Sequence, residues 1–151
     1  MVISVTSLGI VSAIGMDIHE NYTKLLAEKT GISKIEFLND LEKVFLGGEI
    51  KLTNSQLSEI TFKTGKGKDL PRSLLLSLIA AKQAWGSNKP IKNIRTAIIG
   101  GTTIGGMDLT EKFLKENKSI KSLIHHPCGE ITEYLSNYFD ITDFKTTIST
   151  A

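Results

Sequence analysis

The chain has 151 residues, enough for one domain with a real core and too few to make two ordinary domains. Apolar residues at 40% and charged residues at 23% are those of a globular protein and exclude a disordered or fibrous chain. A formal net charge of +2 gives no argument for a nucleic-acid partner, and the single cysteine, Cys128, excludes an internal disulfide and fits a reducing, cytoplasmic compartment.

Met1 to Gly9 carries no basic run ahead of its apolar residues, and Asp17, His19 and Glu20 interrupt any long apolar span. Neither secretion nor membrane insertion is supported. Val2 to Thr6 is short, β-branched and alternating, and predicts a buried strand running into a loop marked by Gly9 and Gly15. From Asp17 to Lys29, Ile18, Tyr22, Leu25 and Leu26 recur at spacings of three and four, with Asp17 as N-cap and Gly31 just past the end. That pattern is an amphipathic helix. Val44 to Leu52, broken by Gly47 and Gly48, reads as a short strand or hairpin.

The stretch from Thr61 to Asp69 is polar and glycine-bearing. Pro71, suited to a first helical position, leads into Leu74, Leu75, Leu78, Ile79, Ala81, Lys82 and Trp85, a well-buried helix ending near Gly86. Ile94 to Gly100 holds the apolar run Ala97, Ile98, Ile99, which predicts a central strand covered on both faces. It feeds a glycine-rich turn, Gly100 to Gly106. Asp108 to Glu116 then places Leu109, Phe113 and Leu114 at helical spacing, Ile131 to Phe139 repeats the pattern, and Thr146 to Ala151 closes as a strand. Alternating strands and helices without repeat, low-complexity run or linker predict a single α/β domain over residues 1–151, with helices packed on a mixed sheet.

Three blocks in this order resemble the β-ketoacyl-[acyl-carrier-protein] synthases of the thiolase superfamily. Val5-Thr6-Ser7-Leu8-Gly9-Ile10-Val11-Ser12-Ala13-Ile14-Gly15 is similar to the family's opening V-T-G-x-G-x-V-S-x-x-G. Ala97 to Met107 is similar to its strand and G-x-x-x-G-G turn, and Gly129 through Thr147-Ile148-Ser149-Thr150-Ala151 to the helix and strand leading to S-T-A-C. The resemblance implies a thiolase-like layered α/β/α/β/α fold, of which this chain supplies most of the N-terminal half, an incomplete synthase domain well under half of a whole enzyme. It implies that the catalytic cysteine follows Ala151 at the start of a buried helix, where helix-end amides stabilise a thiolate, and that two catalytic histidines lie further on. No catalytic residue, cofactor site or metal site is then expected within the chain, and the chain alone is expected to be inactive.

The whole protein would be a condensing acyltransferase of fatty-acid, polyketide or aryl-polyene type, joining acyl and malonyl thioesters presented by acyl carrier protein. The resemblance further implies a homodimer or synthase heterodimer with the closing strand at or near the contact. It also implies an acyl pocket lined at Ile104, Gly105 and Gly106, and carrier docking on the basic cluster Lys63, Lys66, Lys68 and Arg72, which Lys118 and Lys121 can extend. The competing readings are a non-catalytic partner like the chain-length factors, which keep the fold without the cysteine, and an unrelated small α/β ligand-binding domain.

Other motifs carry less chemistry. His125, His126 and Cys128 stand close in sequence, but sequence proximity does not make a nucleophile pair, and the chain's third histidine, His19, is too little to complete a zinc site. Gly100 to Gly106 lacks the G-x-G-x-x-G spacing of a dinucleotide turn, which leaves the plain reading of a tight turn where backbone approaches backbone. Gly65-Lys66-Gly67-Lys68 is no phosphate loop, because Phe62 stands where the first glycine belongs and Asp69 where Ser or Thr belongs. The basic cluster itself has a plain reading as a solvated loop.

Overall fold

The computed structural model describes residues 2–37, 43–62, 67, 69–86, 94–116 and 120–149, the side chains of 116 and 120–122 excepted. The chain is mixed α/β and divides into two compact units, Met1–Thr53 with Ile79–Gly86, and Asn54–Leu78 with Ser87–Ala151.

In the first unit, α1 spans Ile18–Leu26 and starts where its sequence predicts, at Asp17. The Asp17 carboxylate accepts from Glu20 N at 2.8 Å, and the Glu20 carboxylate turns back to accept from Met16 N at 2.8 Å, so the two acidic residues satisfy amides that the helix leaves open. The other end departs from expectation. Glu28 takes the left-handed conformation (φ 51°), with Glu28 N bonded to Leu25 O and Lys29 N to Lys24 O, so the helix is closed before Gly31 is reached. Gly31 is required for a different reason: a Cβ there would stand 2.8 Å from the Cβ of Ala13.

Two three-residue strands, β1 (Ile32–Lys34) and β2 (Leu46–Gly48), pair antiparallel. The first was not foreseen and the second lies inside the predicted hairpin. Val2 to Thr6 forms no strand: Val2, Ile3 and Val5 are exposed, and no ladder partner stands beside them among the described residues. β-branched alternation gives propensity, but a strand exists only through the neighbour that completes its hydrogen bonds. Gln83 holds the loop that follows, its side chain accepting from Ile10 N at 3.1 Å and donating to Met16 O at 2.6 Å.

The second unit is built on α2 (Asn54–Phe62), the first half of α3 (Arg72–Trp85), β3 (Ala97–Gly101), α4 (Met107–Glu116), a 3₁₀ helix (Ile120–His125), α5 (Gly129–Phe139) and β4 (Phe144–Ile148). The core of this unit is leucine-rich: Leu57 of α2 and Leu74, Leu75 and Leu78 of α3 are fully buried, with Leu109 and Ile131 added by α4 and α5. Pro71 precedes the first turn of α3 and its carbonyl accepts from Leu75 N, while Gly86 closes the far end with φ 56°. β3 and β4 run parallel in the register Ala97 with Phe144 to Gly101 with Ile148.

α5 packs on one face of this pair. Gly100 admits it closely, since a Cβ there would collide with the Thr132 hydroxyl, which itself accepts from Thr147 Oγ1 at 2.7 Å. Lys145 reaches Glu133 of α5 on the same face. Among the described residues the predicted burial of β3 on both faces is not met: Ile99, Phe144 and Ile148 are exposed on the other side, and the strands pair β1 with β2 and β3 with β4 instead of joining in one mixed sheet. An apolar run shows that a strand can be covered, but not that the covering element is at hand. The Asp143 carboxylate ties the two strand starts together by accepting from Thr96 N at 2.8 Å and from the Thr96 hydroxyl, which holds its pKa below the usual range. No helix among the described residues is long and apolar enough to cross a membrane.

The β1–β2 hairpin supplies a pH test. Glu49 accepts from Lys51 Nζ at 2.7 Å and from the amides of Glu36 and Phe37, and the Lys51 ammonium first, then these amides, bring its pKa from 4.5 down to about 2. A carboxyl whose pKa falls on folding stabilises above its unfolded pKa and loses that contribution as pH drops through the folded one. Glu49→Gln should therefore unfold at lower urea than the parent at neutral pH, and the difference should close as the pH approaches 2, measured by fluorescence or circular dichroism.

Candidate functional site

The glycine turn lies at the carboxyl end of β3, within the second unit. Thr102 N donates to Ile148 O at 3.1 Å, so the parallel ladder continues one step past the strand. The Thr102 hydroxyl then donates to Ile104 O at 2.7 Å and accepts from Ile104 N at 3.1 Å, which fixes the backbone of Ile104 while leaving its side chain 52% exposed. Gly105 and Gly106 turn inward and are buried.

Both glycines are needed because another backbone occupies the place of a side chain. A Cβ on Gly105 would run into the carbonyl of His126, and one on Gly106 into the carbonyl of His125 and to 3.3 Å from the Pro71 Cβ. Gly106 N donates to His125 O at 2.8 Å, and Gly106 O accepts from Leu109 N and Thr110 N to open α4. On the other side the Ser73 hydroxyl of α3 donates to Gly105 O at 3.2 Å. The tight-turn reading of these glycines is what the structure displays.

His125 and His126 support the turn through their backbones while their rings are engaged elsewhere. The His125 ring Nδ1 is 3.1 Å from Glu130 Oε1, and the His126 ring Nδ1 is 2.8 Å from the Thr110 hydroxyl. Cys128, half-buried at the start of α5, makes no side-chain cap, and neither imidazole bonds to its thiol. No cluster of three or more metal-binding side chains occurs among the described residues.

Of the basic cluster, Lys63, Lys66, Lys68 and Lys118 lie outside the described residues, as does the side chain of Lys121. Arg72 opens α3, half-buried, and its guanidinium donates to Asn54 Oδ1 at 3.3 Å. Asn54 Nδ2 donates to Asp108 Oδ2 at 3.1 Å, and the same oxygen accepts from Arg72 N at 3.0 Å. Sequence reasoning missed this ring. Its signals were the Thr53-Asn54-Ser55 run, typical of a helix start, and an acidic residue in the first turn of α4. A cleft of about 200 Å³ lies beside the turn, between α3 and α5 over β3, lined by Ser77, Ile98, Ile131 and Leu135 among others.

The chain is mixed α/β, with a parallel strand pair opening into a buried double-glycine turn. Among solved structures it is similar to the ishigamide ketosynthase/chain length factor, with a TM-score of 0.76 and 19% identity over 97% of this chain. At that identity the likeness is one of fold. The chain spans 39% of that protein's length. No protein-family model and no curated protein matches the chain.

Because neither buried glycine can accept a side chain without moving the 125–127 backbone, Gly106→Ala should destabilise the protein by about 1–3 kcal/mol, as overpacking does. Denaturant unfolding against the parent checks this. Ala at Gly101, where a Cβ would meet nothing within 4 Å, is the control and should cost clearly less.

Proposed function

We propose that this chain is the N-terminal portion of a β-ketoacyl-[acyl-carrier-protein] synthase. The whole cytoplasmic protein would extend an acyl thioester by decarboxylative condensation with a malonyl thioester. The reading is carried by the fold likeness to a ketosynthase/chain length factor over 97% of the chain, with the buried glycine turn at the end of the parallel pair. In the reaction an acyl group is held as a thioester on a cysteine of the whole protein. Loss of carbon dioxide from the malonyl group leaves a carbanion that attacks the thioester carbonyl, and the cysteine leaves as thiolate.

Within the chain, Ile104 with Gly105 and Gly106 forms part of the acyl pocket wall: an exposed apolar side chain on a backbone pinned by Thr102 is suited to limit the length of an apolar chain. Lys63, Lys66 and Lys68 dock the acidic carrier protein. Arg72 is a poorer probe of docking, since its substitution also disturbs Asn54.

A second reading is supported by the name of the similar structure, which pairs a ketosynthase with a chain length factor. In it the chain belongs to a non-catalytic subunit that shapes the product for a synthase partner. The two readings part on whether a cysteine follows Ala151 in the whole polypeptide.

The full-length protein, supplied with acyl and malonyl carrier-protein thioesters, should release carbon dioxide and form a product two carbons longer. Product only after addition of a synthase subunit would favour the second reading, and no product either way would overturn both. Ile104→Phe should shorten the main product, read by mass spectrometry. Charge reversal of Lys66 and Lys68 should weaken carrier binding at low salt and matter less as salt rises. Unchanged low-salt affinity would remove the docking assignment.

A further inference from the structure

The Asn54, Arg72 and Asp108 ring links the starts of three helices. Asn54 begins α2, Arg72 begins α3, and Asp108 lies in the first turn of α4, two residues beyond Gly106. Asp108 Oδ2 takes hydrogen bonds from Arg72 N and Asn54 Nδ2, and Asn54 Oδ1 takes one from the Arg72 guanidinium, so the three residues close on themselves. A carboxylate on the first amide of α3 answers a donor that the helix cannot satisfy internally and meets the positive end of its dipole.

The ring sits directly behind the glycine turn. Ser73, next to Arg72, holds Gly105 O, and Pro71, on its other side, is the residue that a Gly106 side chain would strike. Asp108 thus joins the α4 end of the turn to the segment of α3 against which the turn rests. We infer that Asp108 is a positioning residue that sets, through this ring, where the glycine turn and Ile104 stand, and thereby which acyl lengths the pocket accepts. The last step rests on the function proposed above; the positioning does not.

One oxygen accepts both hydrogen bonds, so an amide oxygen can replace it. Asp108→Asn should keep the turn in place and Asp108→Ala should release it. In the full-length protein, hydrogen exchange across 102–110 should quicken about tenfold in Asp108→Ala, with 97–101 and 144–148 unchanged, and stay near the parent in Asp108→Asn. The ratio of the main product to its neighbour two carbons longer should fall by about tenfold in Asp108→Ala only.

Exchange that quickens evenly over the protein, or not at all in 102–110, would overturn the inference by making Asp108 a purely structural residue. A local change in exchange with an unaltered product ratio would overturn the specificity step. If the parent makes no product while exchange responds as stated, the positioning stands and the proposed function falls. Should Asp108→Ala not fold, Asn54→Ala, which keeps the bond from Arg72 N to Asp108, is read the same way and should give a smaller local change.

Discussion

Backbone running against backbone at Gly105 and Gly106 is the constraint around which the second unit is arranged. The carbonyls of His125 and His126 lie where side chains would be, so the segment that leads into α5 and the turn that leads into α4 are locked together. α5 in turn lies on β3 at Gly100, again where a side chain would collide, with Thr132 in the space. Three glycines within seven residues therefore set how a strand, two helices and a connecting segment meet. Their role is close approach, since none of the three takes a positive φ.

What the sequence made legible was whatever is decided locally. The Asp17 cap, Pro71 ahead of α3, Gly86 behind it and the leucines of α3 depend on neighbours within a few residues, and the structure has them as expected. Val2 to Thr6 and the second face of β3 depend on elements remote in sequence, and there the apolar pattern overstated what is formed. α2 escaped notice because its apolar residues, Leu57, Ile60 and Phe62, are few and their periodicity is weak, while its buried face includes Ser58 and Thr61. At the site, the glycine turn was readable as a motif. The Asn54, Arg72 and Asp108 ring was not, since it joins residues 18, 36 and 54 positions apart.

The two faces of the parallel pair β3–β4 differ. Such pairs ordinarily sit covered on both faces, because crossover helices bury them. Here one face is closed by α5 through Thr132, Thr147 and the Lys145–Glu133 ion pair, while Ile99, Phe144 and Ile148 remain open to water. Burying a side chain of that size contributes about 1.5–3 kcal/mol. Within the chain the ladder is also tied at both ends, by the Asp143 link to Thr96 at the strand starts and by Thr102 N to Ile148 O just past the strand ends.

A fold shared at 19% identity fixes topology and leaves chemistry to be argued from side chains. Around the turn, three groups that could do chemistry are engaged in holding structure. Asp108 caps α3, the His125 ring faces Glu130, and the His126 ring faces Thr110. A thiol becomes a strong nucleophile when a nearby positive charge or base favours the thiolate, and both imidazoles beside Cys128 are directed to other partners. Under the proposed function this part of the chain would contribute shape: a turn that presents one apolar side chain, Ile104, from a backbone bonded to Thr102, with Gly105 and Gly106 set against the 125–126 backbone. A pocket wall requires that combination, because discrimination between chain lengths comes from a surface that does not yield to an extra methylene.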